Sequence, residues 1–201
     1  MKRMIPVALC LALCACGGTR VVDLNDEQEV SSMQHVMELE YRDWTNTAEK
    51  MTKSMIDSGA LKTESKPVIA IGNIVNDTTQ RIDTDILTKK IRTTLLQSGK
   101  AQIATNFSGE DANSDKVRAQ RGNDEYDQKT IAQKGTLVAP NMSLSGKMLQ
   151  RNLKLESGWF SSVDTRVEYY LQLTLTDMKT GLSVWEDEQP IIKEGKDAPT
   201  W

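Results

Sequence analysis

The 201-residue sequence has little cysteine and almost no histidine. Its three cysteines, at positions 10, 14 and 16, all fall within the first sixteen residues, so the rest of the chain has no thiol for a disulfide, a redox site or a Cys-based metal site. The single histidine, His35, cannot form a His-rich metal site and gives no support to a Ser-His-Asp triad. We therefore expect no metal and no cofactor, and we expect stability to come from packing alone.

Strong net charge and nucleotide-binding motifs are also missing. The formal charge is −3 with both signs well represented, which is not the basic footprint of a nucleic-acid-binding protein. No P-loop, no Gly-rich dinucleotide loop and no HExxH motif occurs. The acidic pair Asp83 and Asp85 is better explained by capping of a helix than by carboxylate catalysis. The sequence thus predicts no catalytic residues, no enzyme activity, no nucleic-acid partner and no small-molecule substrate.

A long hydrophobic run is absent as well, and the one apolar stretch lies at the start of the chain. Lys2 and Arg3 precede an apolar run over residues 4–13, which is shorter than the roughly 20 residues that span a bilayer. A charged start, a short apolar run and small residues at its end are typical of a secretory signal peptide. The ending Leu13-Cys14-Ala15-Cys16 resembles the lipobox of bacterial lipoproteins, which implies cleavage after residue 15 and acylation of Cys16. An ordinary signal peptide with an incidental cysteine is the alternative.

The resemblance to lipoproteins also predicts where in the cell the protein is located. Two or more acyl chains anchor a protein stably to a membrane. The residue after Cys16 is Gly17 rather than the Asp that retains lipoproteins at the inner membrane in enterobacteria-like sorting. This implies lipid anchoring to the outer membrane on the periplasmic side. Removal of 15 of the 201 residues would leave 186, and loss of Lys2 and Arg3 would change the formal charge from −3 to −5.

The remaining chain divides into a tether and a globular domain. We assign residues 16–42 to the lipid anchor and tether, with residues 30–42 either helical or disordered, and residues 43–201 to the domain. A helix is predicted from Asp43 to Ser58, ended by Gly59. Its apolar stripe, spaced by three or four residues, is more typical of a core-facing helix than of a groove for a partner; it comprises Val30, Met33, Met37, Tyr41, Trp44, Ala48, Met51 and Met55.

The middle of the chain predicts an alternation of strands and helices. Val68–Ile74 is apolar on both faces, as in a central strand, and residues 76–79 form a polar loop. A helix capped by Asp83 or Thr84 is predicted through Ser98, ended by Gly99. Its predicted core positions are Ile86, Leu87, Ile91, Leu95 and Leu96. Shorter elements are predicted as a strand at residues 102–105 and helices at residues 116–120 and 126–134.

The C-terminal third predicts a β-meander. Apolar and polar residues alternate over residues 142–148 and, most strictly, over Val163–Thr176, which indicates one buried and one wet face. Lys179-Thr180-Gly181 predicts a hairpin turn into a last strand from Leu182 to Gln189. The expected fold class is α+β with two layers: a small mixed or antiparallel sheet with helices covering one face.

These pieces resemble the LpoB family of outer-membrane lipoprotein activators of bifunctional class A penicillin-binding proteins. The resemblance rests on the lipobox, the Asp43-Trp44 helix, the segment from Val68 to Thr79, the helix Asp83–Ser98, and Thr180-Gly181 before Trp185. It implies a fold like the N-terminal domain of TolB and a non-catalytic role in regulating peptidoglycan synthesis, with a penicillin-binding protein as partner. Residues 17–42 depart from the pattern, because they contain none of the proline of the family's long tethers.

Candidate partner-binding residues follow from expected exposure. An open polar sheet face carrying Arg166 and Tyr170 is either a docking surface or merely solvated. Trp159-Phe160, flanked by Gly and Ser, is either an exposed aromatic hot spot or a plug for the end of the sheet. The full set is Asn76, Asp77, Thr78, Thr79, Trp159, Phe160, Arg166 and Tyr170.

A second class of function is a structural subunit of an envelope secretion or assembly machine, as in CsgG-like lipoproteins. Such proteins need long amphipathic strands to form a barrel. The sequence predicts only one strand above ten residues, which disfavours this alternative.

Overall fold

The computed structural model describes residues 22–23, 26, 28–29, 36–107, 112–154 and 165–195. The chain divides into a compact unit from Val36 to Trp201 and a separate unit from Met1 to His35. In the smaller unit, the Asp23 backbone N–H donates to the Glu29 carboxylate at 2.8 Å. Within the described ranges, every helix is too short or too polar to cross a bilayer.

In the described part of the larger unit there are three α-helices and five strands. A 3-10 turn at Thr105–Phe107 follows the second strand. In chain order the elements are α1 (Tyr41–Asp57), β1 (Val68–Asp77), α2 (Thr84–Ser98), β2 (Gln102–Ile103), α3 (Ala112–Ala119), β3 (Met142–Lys154), β4 (Thr165–Asp177) and β5 (Ser183–Gly195).

Helix α1 begins where its sequence satisfies the first free backbone N–H groups. The Asp43 carboxylate accepts a hydrogen bond from the Glu40 N–H at 2.9 Å, half of a capping box. Gly59, at a φ of 85°, follows the end of the helix. The predicted helix is confirmed, and its apolar stripe from Trp44 through Ala48 and Met51 to Met55 is buried. The prediction that Tyr41 belongs to this core-facing stripe is wrong, because half of its surface is exposed.

Helix α2 has the predicted ends but a rotated core stripe. The Asp83 carboxylate accepts from the Asp85 N–H at 3.0 Å, and Gly99 ends the helix at a φ of 65°. The predictions that Ile86 and Leu96 are core residues are wrong, because both are exposed. Successive residues are about 100° apart around a helix, so the side of α2 that faces the core includes two polar residues in place of Ile86 and Leu96. The buried positions are Leu87, Thr88, Ile91, Arg92 and Leu95.

The segment between α2 and β3 departs most from the sequence prediction. The predicted strand at residues 102–105 is reduced to the two residues of β2, and the helix predicted at residues 116–120 is α3, which begins earlier. The helix predicted at residues 126–134 is wrong, since the chain makes successive turns there. The Gln128 amide donates to the Asn123 carbonyl at 2.6 Å, and the Asp127 carboxylate accepts from the Lys129 N–H at 3.0 Å. Such side-chain bonds compete with the helical pairing of the backbone.

The five strands form one mixed sheet in the order β2-β1-β3-β4-β5. Strand β1 pairs in parallel with both β2 and β3, while β3, β4 and β5 are antiparallel. At the β4–β5 turn, the Asp177 carboxylate accepts from the Lys179 N–H at 2.7 Å and Gly181 has a φ of 72°. The α+β fold, the central position of β1 and the terminal meander are therefore confirmed.

Several strands are longer than predicted. Asn76 and Asp77, expected in a polar loop, are the last residues of β1, because they continue its pairing with Met148 and Leu149 of β3. Strand β5 continues past Gln189 to Gly195 along its pairing with β4. Strands β3, β4 and β5 each contain 13 residues, so the expectation of only one strand above ten residues is wrong.

The two faces of the sheet differ. Helices α1 and α2 share a hydrophobic core with one face, where the β4 residues Val167, Tyr169, Leu171, Leu173 and Leu175 are buried as the alternation predicts. Val163 lies outside the described residues. We call the opposite side the open face; by register it presents residues 75 and 77 of β1, 145–153 (odd) of β3, 166–174 (even) of β4 and 186–194 (even) of β5.

Candidate partner-binding surface

The loop after β1 is a hydrogen-bonded turn attached to β3. The Asn76 amide oxygen accepts from the Thr78 hydroxyl at 2.7 Å, and its NH2 group donates to the Gln80 carbonyl at 2.9 Å. The Thr79 backbone N–H and hydroxyl both lie 3.0 Å from the Gln150 side-chain oxygen. The four predicted residues at this position are thus held in one arrangement at the end of the sheet.

Three of the predicted residues lie on the open face. Asp77 forms an ion pair with Lys147, with 2.6 Å between Oδ2 and Nζ. Arg166 forms an ion pair with Glu194 across β4 and β5. The Tyr170 hydroxyl donates to the Glu168 carboxylate at 2.7 Å, and this hydrogen bond raises the pKa of Tyr170.

The sheet register brings some of these residues together and separates others. Asp77, Leu149, Tyr170 and Pro190 form one row across four strands of the open face. Arg166 lies four residues from Tyr170, about 13 Å along the strand. Asn76 pairs in register with Met148, whose side chain is on the helix side, so the turn at residues 76–79 borders both faces.

Three predicted residues cannot be placed on this surface. Trp159 and Phe160 lie outside the described residues, between β3 and β4. Cys16 also lies outside the described residues.

Sequence reasoning missed several open-face residues that surround Tyr170. Leu149 and Pro190 are its neighbours in the row, and Ile192 lies two residues beyond Pro190 with 54% of its surface exposed. Glu168, predicted to face solvent, is buried because the Tyr170 hydroxyl and the Arg151 guanidinium lie against its carboxylate. The period-two alternation of β3 and β5 could have placed Leu149 and Pro190 on this face, given the register.

The segment leading into α1 is part of the folded unit. We call residues 36–40 the junction segment. The Gln80 amide group makes two hydrogen bonds to the backbone of Leu39, accepting from its N–H at 3.0 Å and donating to its carbonyl at 3.1 Å. The Lys193 ammonium lies 3.2 Å from the Glu40 carboxylate and 2.5 Å from that of Asp43. With Leu39 buried, residues assigned to the tether from sequence are thus structured up to α1.

The described residues contain no group of three or more His, Cys, Asp or Glu side chains that could bind a metal ion. The surface instead offers side chains suited to contact with a macromolecule: aliphatic and aromatic groups between paired charges.

Comparison with known families decides what kind of protein carries this surface. The family described as the peptidoglycan-synthase activator LpoB matches residues 43–191, more than half of the chain. The chain belongs to the LpoB family. The matched range runs from the first turn of α1 into β5, so the LpoB family match includes the turn after β1 and the open face except Ile192 and Glu194.

Solved structures with similarity to this LpoB family member include two LpoB C-terminal domains. That of Escherichia coli is 14% identical with a TM-score of 0.43, and that of Salmonella enterica is 15% identical with a TM-score of 0.44; each match covers 74% of this chain and 98% of the other. Lipoprotein GNA1162 from Neisseria meningitidis is 10% identical with a TM-score of 0.33, covering 67% of this chain and 88% of the other. No curated protein matches the chain. Membership therefore rests on the family match.

Proposed function

We propose that this chain is an outer-membrane lipoprotein that binds and activates a bifunctional class A penicillin-binding protein from the periplasmic side. The observation that carries the proposal is the LpoB family match over residues 43–191. The charged start and the lipobox-like ending at Cys16 support the anchor and the address. The open face supports binding to a protein, because it offers Tyr170 and Arg166, residue types enriched in interface hot spots.

The proposed activation is non-catalytic. A binding domain can raise the rate of an enzyme by binding its active conformation more tightly than its idle one. A tenfold stimulation requires only about 1.4 kcal/mol of differential affinity, which a few interface contacts supply. The domain then needs no nucleophile, base or metal of its own.

The domain assignment proposed here has a shorter tether than the sequence alone predicted. With Cys16 as the anchor and the junction segment packed on the domain, about 20 residues remain between them. Fully extended they reach at most about 70 Å, and as a flexible coil they average about 25 Å. This reach limits how far from the membrane the domain can meet its partner.

The alternative is a structural subunit of an envelope secretion machine. Strand length no longer argues against it, since three strands contain 13 residues. Those strands, however, form one sheet that shares a core with two helices. The family match favours the activator.

The decisive experiment measures glycan-strand synthesis by a purified class A synthase of the same organism, with and without the mature lipoprotein in detergent. We expect a faster rate with the lipoprotein and no product from the lipoprotein alone. Binding by no class A synthase, together with an unchanged rate, would refute the proposal and return the secretion subunit to first place.

The anchor is tested separately by mass spectrometry of the mature N-terminus. We expect an acylated Cys16, and a Cys16→Ala variant that is no longer acylated. Cys14→Ala is the matched control, because it should leave acylation at residue 16 unchanged. A Cys16→Ala protein that is processed and still membrane-bound would contradict the proposal.

A further inference from the structure

The open face has an apolar row at its centre. Leu149, Tyr170 and Pro190 are consecutive partners across β3, β4 and β5, so their side chains adjoin on the same side of the sheet. Ile192, one pleat further along β5, extends the row diagonally, a distance that long side chains bridge. More than half of the Ile192 surface is exposed, and no described helix shares a core with this row. The row is thus an apolar strip about three strands wide that faces outward.

The charges beside this row are arranged by sign. On β3, Lys147 and Arg151 lie one pleat to either side of Leu149, and the Arg151 side chain is 66% exposed, 4.0 Å from Glu168. On β5, Glu188 accepts a hydrogen bond from the neutral Gln172 amide at 2.6 Å, and Glu186 lies 3.5 Å from the Thr174 hydroxyl. On the β3 side, the Lys147 ammonium is paired with Asp77 at 2.6 Å, whereas the Arg151 guanidinium remains largely exposed. On the β5 side, Glu186 and Glu188 lie against neutral donors, and Glu194, further along the strand, is paired with Arg166. The charges nearest the row are therefore cations on β3 and carboxylates on β5.

We propose that the open face is the surface that docks on the synthase, and that it recognises a protein patch with an apolar centre, cationic side chains over β5 and carboxylates over β3. This inference rests on the proposed function. A protein fits better than a membrane, because an anionic lipid surface would be repelled by the β5 carboxylates. Exposed charges of both signs flanking an apolar strip fix the orientation of a partner as well as its identity.

The partner docks on the face rather than by adding a strand to the edge of the sheet. Strand β5 is an edge strand, and Pro190 lies in its middle. Proline has no N–H to donate and is found in sheets mainly on edges, where that loss faces away from the neighbouring strand. An added strand would lack a bond at that point, whereas contact with the face uses the Pro190 ring itself.

The test compares two charge reversals of opposite sign, Glu188→Lys and Arg151→Glu, in the mature lipoprotein. Binding to a purified class A synthase of the same organism is measured by surface plasmon resonance at low and high salt. We expect each reversal to weaken binding at least tenfold at low salt, and by less at high salt because salt screens exposed charges. The two substitutions change the net charge in opposite directions, so a general effect of net charge would strengthen binding in one variant and weaken it in the other. Weaker binding in both variants is therefore specific to docking on this face.

Matched controls lie away from the open face. Glu64→Lys makes the same charge change in the exposed loop before β1, and Val138→Ala matches Ile192→Ala as the truncation of an exposed aliphatic residue. We expect both controls to bind within twofold of wild type and Ile192→Ala to bind at least fivefold more weakly. Thermal unfolding of every variant checks the fold, and Glu188→Gln replaces Glu188→Lys should the latter be unstable.

The outcomes separate the two proposals. Wild type that stimulates the synthase, with open-face variants equal to the controls, overturns the docking surface and leaves the proposed function standing. Wild type that binds no class A synthase overturns both. Variants that keep synthase binding but lose binding to purified peptidoglycan sacculi would show that the face recognises glycan, which also overturns this inference.

Discussion

At the scale of single residues, Gly146 of β3 has no room for a side chain beside β4. A Cβ atom at this position would lie 2.6 Å from Leu173 Cδ2 and 2.8 Å from the Gln172 carbonyl oxygen. The carbonyl belongs to the paired backbone of β4, so it cannot move aside as a flexible side chain would. Only glycine therefore fits without a shift of the two strands.

We predict that Gly146→Ala destabilises the domain by roughly 1–3 kcal/mol, the usual cost of overpacking a core. Ser145→Ala is the control, because Ser145 is the adjacent exposed residue of the same strand. Urea unfolding of the two variants provides the measurement. Equal free energies of unfolding for the two variants would contradict the prediction, because they would mean that β3 and β4 accommodate the added methyl group without destabilising the domain.

Tyr169 is a second residue whose surroundings predict a measurable property. It is fully buried, and burial, with smaller effects of Glu38 and Asp43, raises the pKa of its hydroxyl to about 12. An unfolded tyrosine ionises near pH 10. The folded state keeps the proton to a higher pH than the unfolded state. The stability that this difference contributes is therefore complete below about pH 10 and is lost as the pH rises toward 12.

We predict that Tyr169→Phe removes part of this alkaline sensitivity. Relative to pH 8, wild type should lose about 1.4 kcal/mol more than the variant by about pH 11. At pH 8 the variant lacks the long hydrogen bond from Tyr169 to the Met37 carbonyl, at 3.3 Å. Urea unfolding across this pH range makes the comparison, and parallel curves for the two proteins would contradict the prediction.

At the scale of elements, β4 is the clearest example of a strand with two different faces. Leu173 is buried in the core, whereas its neighbour Gln172 lies on the open face and bonds to Glu188. We predict that Leu173→Ala costs roughly 2–5 kcal/mol as a large-to-small core change. Gln172→Ala should cost at most about 0.5 kcal/mol, as surface substitutions do. Similar thermal midpoints for both variants would mean that the open face is also a core.

Elements with strong local signals were predictable from the sequence. Helix α2 begins after Asp83 and ends at Gly99, because a capping carboxylate and a left-handed glycine each fix the backbone next to them in the chain. The alternation in β4 predicted its buried face for the same local reason. The turns at residues 126–134 were not predictable, because their amide and carboxylate side chains bind backbone groups in a pattern without period. The exposure of Ile86 depends on which side of α2 meets the sheet, which is tertiary information.

At the scale of the whole molecule, the junction segment and the end of β5 belong to the fold. We predict that a fragment of residues 36–195 is as stable as residues 17–201 within about 1 kcal/mol, because it retains the described packing. A fragment of residues 43–190 should be less stable by at least about 2 kcal/mol, since it loses buried Leu39 and the ion pairs of Lys193. Urea unfolding checks both, and equal stabilities would assign residues 36–42 to the tether.

The candidate surface was only partly predictable for a related reason. Tyr170 and Asp77 were both singled out from the sequence, but that they share one row depends on the register of β1 against β3 and of β3 against β4. Leu149 and Pro190 complete that row through the same pairing. Period-two alternation assigns a residue to a face, whereas only strand pairing assigns it to neighbours.

The contact between Gln80 and the junction segment has a mechanical consequence. If Cys16 is held in a membrane as proposed, any pull on the domain arrives through the chain at residue 36. The attachments nearest residue 36 are the hydrogen bond from the Tyr169 hydroxyl to the Met37 carbonyl, the paired hydrogen bonds of Leu39 with Gln80, and the ion pairs of Lys193. The Gln80 carbonyl also accepts from Asn76. Leu39 is also a core residue. Tension along the tether would therefore load the turn after β1, through Gln80, together with the hydrophobic core.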